Sequence, residues 1–307
     1  MQTELYKRYR PKKLEQVIGQ ASAISVLNKF VAKGNIPHAI LFSGPSGVGK
    51  TTIARILRKP LKCHASELIE MNIADIRGVD NIRDIRRKMG LRPMLGDSRI
   101  YVLDEAGAMT KDAQQALLKM LEDTPEHVWF ILCTTDPHKL IKTIRTRCTE
   151  IALKPIGEKD LAELVMSVYH QEVKEGPFPE TAIDKIVENS DGSARKALVI
   201  LESILEMDNE AEMLDAIDKM NQEKQTIDLC RLLLNPRSQW AEVATILKDL
   251  EGEEPENARR CILGYMRAVL LKSAMPRAYQ ILGAFERNFF DSGNAGLAMV
   301  CYEVMRK

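Results

Sequence analysis

Eight consecutive residues, Gly44-Pro45-Ser46-Gly47-Val48-Gly49-Lys50-Thr51, restrict what this chain can fold into more than any other stretch. Two glycines with four residues between them, then Lys and Thr, make up the phosphate-binding loop pattern. Ahead of it, Ala39-Ile40-Leu41-Phe42 reads as a short buried strand. Behind it, Thr52-Ile53-Ala54-Arg55-Ile56-Leu57 reads as a helix. Glycines let the backbone curl until its N–H groups converge on phosphate oxygens, with the helix N-terminus behind them. Lys50 then reaches the outer phosphates and the Thr51 hydroxyl can ligate Mg²⁺. The loop residues from Gly44 through Thr52, namely Gly44, Pro45, Ser46, Gly47, Val48, Gly49, Lys50, Thr51 and Thr52, are therefore the predicted nucleotide contacts.

Around this loop the first half alternates strand and helix patterns. Strands are expected at 39–43, 68–72, 99–103, 128–133 and 150–153, and helices at 20–33, 50–58, 79–89 and 110–122. Such alternation implies an α/β fold whose parallel sheet is covered on both faces, with ligands beyond the carboxyl ends of the strands. After about residue 154 the strand signal stops. Segments 158–174, 179–190 and 193–206 read as helices, and from 211 onward everything reads as helix broken at Asn235-Pro236, Glu253-Glu254-Pro255 and Met275-Pro276. The expected domains are 1–154 for the sheet, 155–208 for a helical lid and 209–307 for an all-helical third part.

Composition narrows the function classes. With 44 Lys and Arg against 43 Asp and Glu, the chain carries no overall polyelectrolyte signature. Charge is uneven, however: residues 77–99 hold seven basic and three acidic side chains, which permits a local basic surface. No apolar run approaches the roughly 20 residues of a membrane span, so no membrane partner is expected. The first residues lack an apolar core and do not read as a secretory signal. The six cysteines are not spaced as Cys-x-x-Cys pairs and read as reduced, packed thiols of an intracellular protein.

Tyr101-Val102-Leu103-Asp104-Glu105 is an apolar strand ending in two acids, 54 residues after Lys50. Asp104 at a strand's carboxyl end can hold Mg²⁺ opposite Thr51, and Glu105 can polarise an attacking water. Phe130-Ile131-Leu132-Cys133-Thr134-Thr135 is the next strand to end in hydroxyls. Thr146-Arg147-Cys148 and Gly192-Ser193-Ala194-Arg195 complete the set.

In this order, Tyr9-Arg10-Pro11, Val17-Ile18-Gly19-Gln20, the phosphate loop, Asp104-Glu105-Ala106, Thr134-Thr135-Asp136-Pro137, Thr146-Arg147-Cys148 and Gly192-Ser193-Ala194-Arg195-Lys196-Ala197-Leu198 resemble the ATPase subunits of sliding-clamp loaders, a group of AAA+ proteins. The likeness is dense from about 5 to 205. It implies an AAA+ sheet domain, a helical lid and a helical collar that holds subunits in a pentameric ring. It further implies ATP and Mg²⁺ as ligands, and as partners a sliding clamp, primer–template DNA and other loader subunits, with a non-identical partner subunit among the options. Thr135 would be the first sensor and Arg195, on a lid helix, the second. Arg147 would be an arginine finger reaching the neighbouring subunit's ATP. Tyr9, Arg10, Pro11, Val17 and Ile18 would line the adenine pocket, and Gln114 would link DNA contact to the ATP site. The setting implied is the cytoplasm, or the nucleus for a eukaryotic source.

The likeness has departures. Relatives often carry Asp or His where Gly107 stands, and the four-cysteine zinc insert and long tail of the bacterial gamma/tau branch are not seen, which favours the compact replication factor C or phage type of subunit. By analogy, Arg77, Arg83, Arg86 and Arg87 would track a DNA backbone through salt-sensitive phosphate contacts. Met89, Leu91, Met94 and Leu95 suit either a plug for a clamp pocket or core, with core the expectation for Leu91. Three rival readings are another AAA+ DNA motor such as a branch-migration factor, a nucleotide-binding subunit that does not hydrolyse, and a small-molecule kinase.

Overall fold

The structure is a computed structural model and describes residues 4–75, 79–173, 178–207, 209–251 and 254–306, without the side chains of 79–81, 222 and 223. The chain divides into two compact units, Met1–Glu206 and Met207–Lys307.

The first unit is built on five parallel strands, β1 (Ala39–Ser43), β2 (Cys63–Asn72), β3 (Ser98–Asp104), β4 (Val128–Thr134) and β5 (Thr149–Ala152), in the order β2-β3-β4-β1-β5. Alternation along the strands sorts side chains to two cores, because successive Cβ atoms point to opposite faces. Ile40 and Phe42 of β1, Ile100 and Val102 of β3, and Ile131 and Cys133 of β4 face one layer. That layer is closed by helices α2 (Ala21–Ala32) and α3 (Lys50–Ile56), through residues such as Leu27 and Ile53. Leu41, Tyr101, Leu103, Phe130 and Leu132 face the other. There α4 (Val79–Met89), α5 (Lys111–Glu122) and α6 (Lys142–Arg147) cover them with Ile82, Ile85, Leu117, Met120 and Ile144. Each fully buried Leu, Ile or Phe contributes about 1.5–3 kcal/mol, so the sheet is a stiff platform for whatever its loops hold.

The expected strands appear within a residue or two, except that β2 starts five residues early, at Cys63. Its first part, His64 to Glu67, is polar and the register with β3 shifts between Cys63 and Leu68, so no alternation marks it. A short α1 (Leu5–Arg8) precedes the sheet, and α7 (Glu158–Glu172), α8 (Glu180–Asn189) and α9 (Ala194–Ile204) follow it.

The second unit is helical: α10 (Glu210–Leu234), α11 (Trp240–Asp249), α12 (Pro255–Ser273), α13 (Pro276–Ala284) and α14 (Gly293–Arg306). Its core gathers Leu229, Leu233, Val243, Ile262, Met266, Ile281, Phe285 and Leu297. The sequence breaks at Asn235, Pro255 and Pro276 all fall at helix ends, whereas the connection at 285–292 has no proline and was not foreseen. No helix among the described residues is long and apolar enough to cross a membrane.

Candidate nucleotide-binding site

The loop after β1 takes a backbone path that favours glycine at Gly44, Gly47 and Gly49, and at the first two a side chain would also collide with its neighbours. Gly44 sits at φ +143°, where a Cβ would lie 2.2 Å from the carbonyl oxygen of Leu153. Gly47 sits at φ +77°, and its Cβ would lie 1.9 Å from the Ser193 hydroxyl. The phosphate loop is thus pressed against the first turn of α9, where Ser193 caps the helix by accepting the N–H of Lys196 at 3.3 Å.

Lys50, at the start of α3, is buried, with 6% of its surface exposed. Its Nζ donates to the carbonyl oxygens of Gly44 and Pro45, each at 2.7 Å. Burial pushes its ammonium below the usual lysine range, while Asp104 and Glu105 favour the charge. Thr51 Oγ1 donates to Asp104 Oδ2 at 2.8 Å, and Asp104 Oδ1 accepts the Glu105 backbone N–H at 3.0 Å. Glu105 adopts a left-handed backbone (φ 52°), a strained conformation that clusters at functional sites and turns its side chain out of the strand's alternation.

These groups open on a cavity of about 440 Å³. It is lined by the loop from Ser46 to Thr52, by Asp104 and Glu105, by Tyr9, Arg10, Pro11, Val17 and Ile18 of the amino-terminal segment, and by Arg195. Gln20 ties that segment to the chain just after β5: its amide donates to Lys154 O at 2.8 Å and accepts Lys154 N–H at 3.2 Å. The guanidinium of Arg195 lies over the ring of Tyr6, 5.5 Å from its centre. Sequence reasoning missed Tyr6 and the face of α7 formed by Leu164, Val168 and Gln171, which also line the cavity. Their spacing of four and three residues marks one helix face, so the signal was present without a motif to draw attention to it.

Other predicted residues lie elsewhere. Thr135 is exposed and outside the cavity lining; the buried hydroxyl at the end of β4 is Thr134, which donates to Asp136 O at 3.1 Å. Arg147 also lies outside the cavity, paired with Glu122 of α5 at 2.5 Å. Gln114 is buried: its amide donates to the carbonyls of Met109 and Lys139, and its Oε1 accepts the Ile141 N–H at 2.8 Å. It therefore joins α5 to the segment between β4 and α6, the helix that carries Arg147. At Gly107 a Cβ would stand 3.0 Å from the Thr134 hydroxyl, so a larger residue there would bear on the end of β4.

On α4, Arg83, Arg86 and Arg87 are exposed on one face and line an open concavity, with Arg87 ion-paired to Asp84. Arg77 lies outside the described residues. Leu91 is not core: it is 64% exposed, with Met94 at 92% and Leu95 at 52%, while Met89 is buried. The reason is a buried brace. Glu67 accepts the Met94 N–H at 2.8 Å and pairs with Arg99 at 2.6 Å, and Arg99 donates to the carbonyls of Lys88 and Leu91. These bonds satisfy the loop's backbone and leave its apolar side chains facing out.

A phosphate loop joined to a Thr–Asp pair across two strands, under a helical lid, defines a P-loop nucleotide-binding protein. Comparisons with known proteins refine the class. Residues 68–157 match the family described as DNA polymerase III, delta subunit, and 13–98 match magnesium chelatase, subunit ChlI. The chain is 34% identical over 222 residues to DNA polymerase III subunit tau of Bacillus subtilis, covering 66% of this chain and 39% of that protein. It is 32% identical over 223 residues to subunit tau of Escherichia coli, covering 66% and 34%. With subunit gamma of Buchnera aphidicola it shares 32% over 226 residues, covering 66% and 61%. The aligned region thus spans between about a third and three fifths of these relatives. Among solved structures, the RuvB branch migration motor of Thermotoga maritima superposes with a TM-score of 0.56 at 20% identity, covering 73% of this chain and 78% of that one, a likeness of fold. The chain has the AAA+ type of α/β fold and, over about two thirds of its length, is similar to the DNA polymerase III gamma/tau subunits.

Proposed function

We propose that this chain is an ATPase subunit of a sliding-clamp loader. ATP would bind in the cleft, order a ring of subunits that opens the clamp on primer–template DNA, and be hydrolysed to release it. The observation that carries the nucleotide part is the geometry at Lys50. A buried ammonium whose hydrogen bonds go to two loop carbonyls stands where phosphate oxygens would replace them, within an AAA+ fold. The loader part rests on the gamma/tau relatives.

The roles follow from placement. The loop backbone from Gly44 to Gly49 and Lys50 bind phosphates, with Thr52 beside them on the first turn of α3. Tyr9, Arg10, Pro11, Val17 and Ile18 enclose the base. A hydroxyl and a carboxylate 2.8 Å apart, Thr51 and Asp104, form a hard oxygen donor set that fits Mg²⁺. That ion would neutralise charge on the terminal phosphates. Glu105 orients the attacking water and Arg195 meets the terminal phosphate from the lid; the first-sensor role of Thr135, which is exposed outside the cavity lining, rests on the likeness to loader subunits alone.

Arg147 is not among the residues that line its own cleft and pairs instead with Glu122. It is therefore proposed to serve a neighbour's, and a guanidinium supplied in trans makes hydrolysis depend on assembly. Gln114, fastened to the segment that leads into α6, would couple DNA contact to that arginine. Arg83, Arg86 and Arg87, with Arg77, would follow the DNA backbone. The outward Leu91, Met94 and Leu95 are the surface proposed to enter the clamp. Residues 1–154 would be the ATPase domain, 155–208 the lid and 209–307 the collar of a pentamer working in the cytoplasm.

The experiment is ATP turnover by the purified chain, alone and with primed DNA, a candidate clamp and a candidate partner subunit. Slow turnover alone and strong stimulation by the full set are expected. Rapid turnover by the isolated chain, indifferent to all three additions, would remove the loader reading.

A further inference from the structure

Residues 4–13 supply Tyr6, Tyr9 and Pro11 to the cleft, yet belong to no strand of the sheet. What anchors it is the lid. Leu5 of α1 is fully buried, α1 packs on α9, and the Leu5 backbone N–H donates to Glu202 of α9 at 3.2 Å. Tyr6 lies beneath the Arg195 guanidinium of the same helix. The third attachment is to α7. Glu172, its last residue, accepts the Tyr9 hydroxyl with one carboxylate oxygen and the Arg8 guanidinium with the other, at 2.7 Å.

This attachment differs from an ordinary surface pair. A carboxylate at a helix C-terminus faces the negative end of the helix dipole, where acids are disfavoured. Here the phenol and the guanidinium converge on it and hold its carboxyl below the usual range. Its side chain is 19% exposed, against 40% for Arg8, so screening by water is reduced on the acid's side. The preceding turns of α7 place Leu164, Val168 and Gln171 in the same cleft.

We propose that Glu172 is a positioning residue that clasps the base-contacting segment around Tyr9 to lid helix α7, so that seating an adenine base and placing the lid become one event. This rests on the adenine-nucleotide reading of the cleft. With its hydroxyl held, the Tyr9 ring is ordered before ligand arrives, and the ligand need not supply that ordering. Because the same segment touches α9 beside Arg195, a base against Tyr9 also biases where that guanidinium stands. Without the clasp, the base wall and the lid must be ordered separately, and affinity falls for any ligand that carries a base. A ligand that carries only phosphates loses little.

The test compares Mg-ATP with inorganic tripolyphosphate, by calorimetry on the full chain. Glu172→Ala is expected to weaken ATP about tenfold, the size of one charge-assisted hydrogen bond, and to change tripolyphosphate by less than about twofold. Glu172→Gln, which keeps an acceptor for Tyr9, should recover most of the ATP affinity. An independent readout uses spin labels at Lys7→Cys and Glu163→Cys, in a Cys261→Ser background because the other five cysteines are buried. The label distance should be narrowly distributed with and without ATP, and broad in ligand-free Glu172→Ala. An equal loss for both ligands, or a narrow distance that survives Glu172→Ala, overturns the clasp. ATP binding that is intact and indifferent to Glu172→Ala also overturns the clasp and leaves the nucleotide reading standing. A wild-type chain that binds neither ligand overturns the nucleotide reading, and the base-seating role with it.

Discussion

Lys50 and Glu256 are both buried charges, one in each unit, at 6% and 5% exposure. Their surroundings differ in kind. Glu256, on α12, is closed on every side: Arg259 grips both carboxylate oxygens at 2.6–3.0 Å and the Phe289 N–H donates to it at 3.2 Å. Arg259 in turn donates to the carbonyls of Phe285 and Glu286. Nothing in that cluster awaits a ligand; it fastens α12 to the chain after α13. Among the described residues, Lys50 has only two carbonyls of its own loop as partners, and an open cavity beyond. Burial with a complete partner set marks a structural charge. Burial at the edge of a cavity, with partners that phosphate can displace, marks a functional one.

Arg147 tests the comparison most severely, since it fits neither case: it is half exposed and spends itself on Glu122. In a reconstituted assembly, Arg147→Ala should cut DNA- and clamp-stimulated turnover by about 10³-fold or more while ATP binding by the isolated chain stays near wild type. Unchanged stimulated turnover with every subunit mutated would return Arg147 to the class of surface ion pairs.

Lys50→Ala comes next. ATP affinity should fall by about a hundredfold, as expected when a charge-assisted phosphate contact and its neighbours are lost. Stability should hold or rise. The folded state binds the Lys50 proton more weakly than the unfolded chain does, so the charge opposes folding at neutral pH. A marked fall in urea midpoint would show Lys50 to be structural after all.

The smallest effect separates the units by acid. Arg259 lowers the Glu256 carboxyl to about 2. Its folded value lies below the unfolded one, so its stabilisation is complete above about 4.3 and is lost as pH falls from there towards 2. Trp240 reports on the second unit and Trp129 on the first. In a Trp129→Phe background, the Trp240 urea midpoint should drop between pH 4 and pH 2, and Glu256→Gln should flatten that slope. A slope that survives the substitution assigns the acid sensitivity to other groups.

Much of the first unit was legible because its physics is local. The apolar stretches of β1, β3 and β4, bounded by Gly, Pro and polar residues, have one way to be strands buried on both faces, and they appear where their patterns lie. The phosphate loop was legible for the same reason: the backbone path that needs Gly44 and Gly47 is set within eight residues. Leu91 was misjudged because an apolar side chain after an amphipathic helix normally points inward. Its direction was settled by the Glu67–Arg99 brace, whose members stand 32 residues apart. The outer part of β2 went unseen because a polar edge strand has no alternation to betray it. In the second unit the helical character and the proline-marked breaks were readable, and its packing, which has no motif, was not.

By itself, the order of residues settled which side chains are chemically equipped for the cleft: Lys50, Thr51, Asp104 and Glu105 declare themselves by type and by short-range context, and Arg195 only through the resemblance to loader subunits. The folded chain alone decided which of them meet. Thr51 reaches Asp104 across 53 positions, Tyr9 reaches Glu172 across 163, and Arg147 turns to Glu122 and away from its own cavity. Local pattern is written in covalent spacing and helical or strand period. Contacts between distant segments depend on how sheet, lid and loops close in three dimensions, and no spacing along the chain encodes that closure.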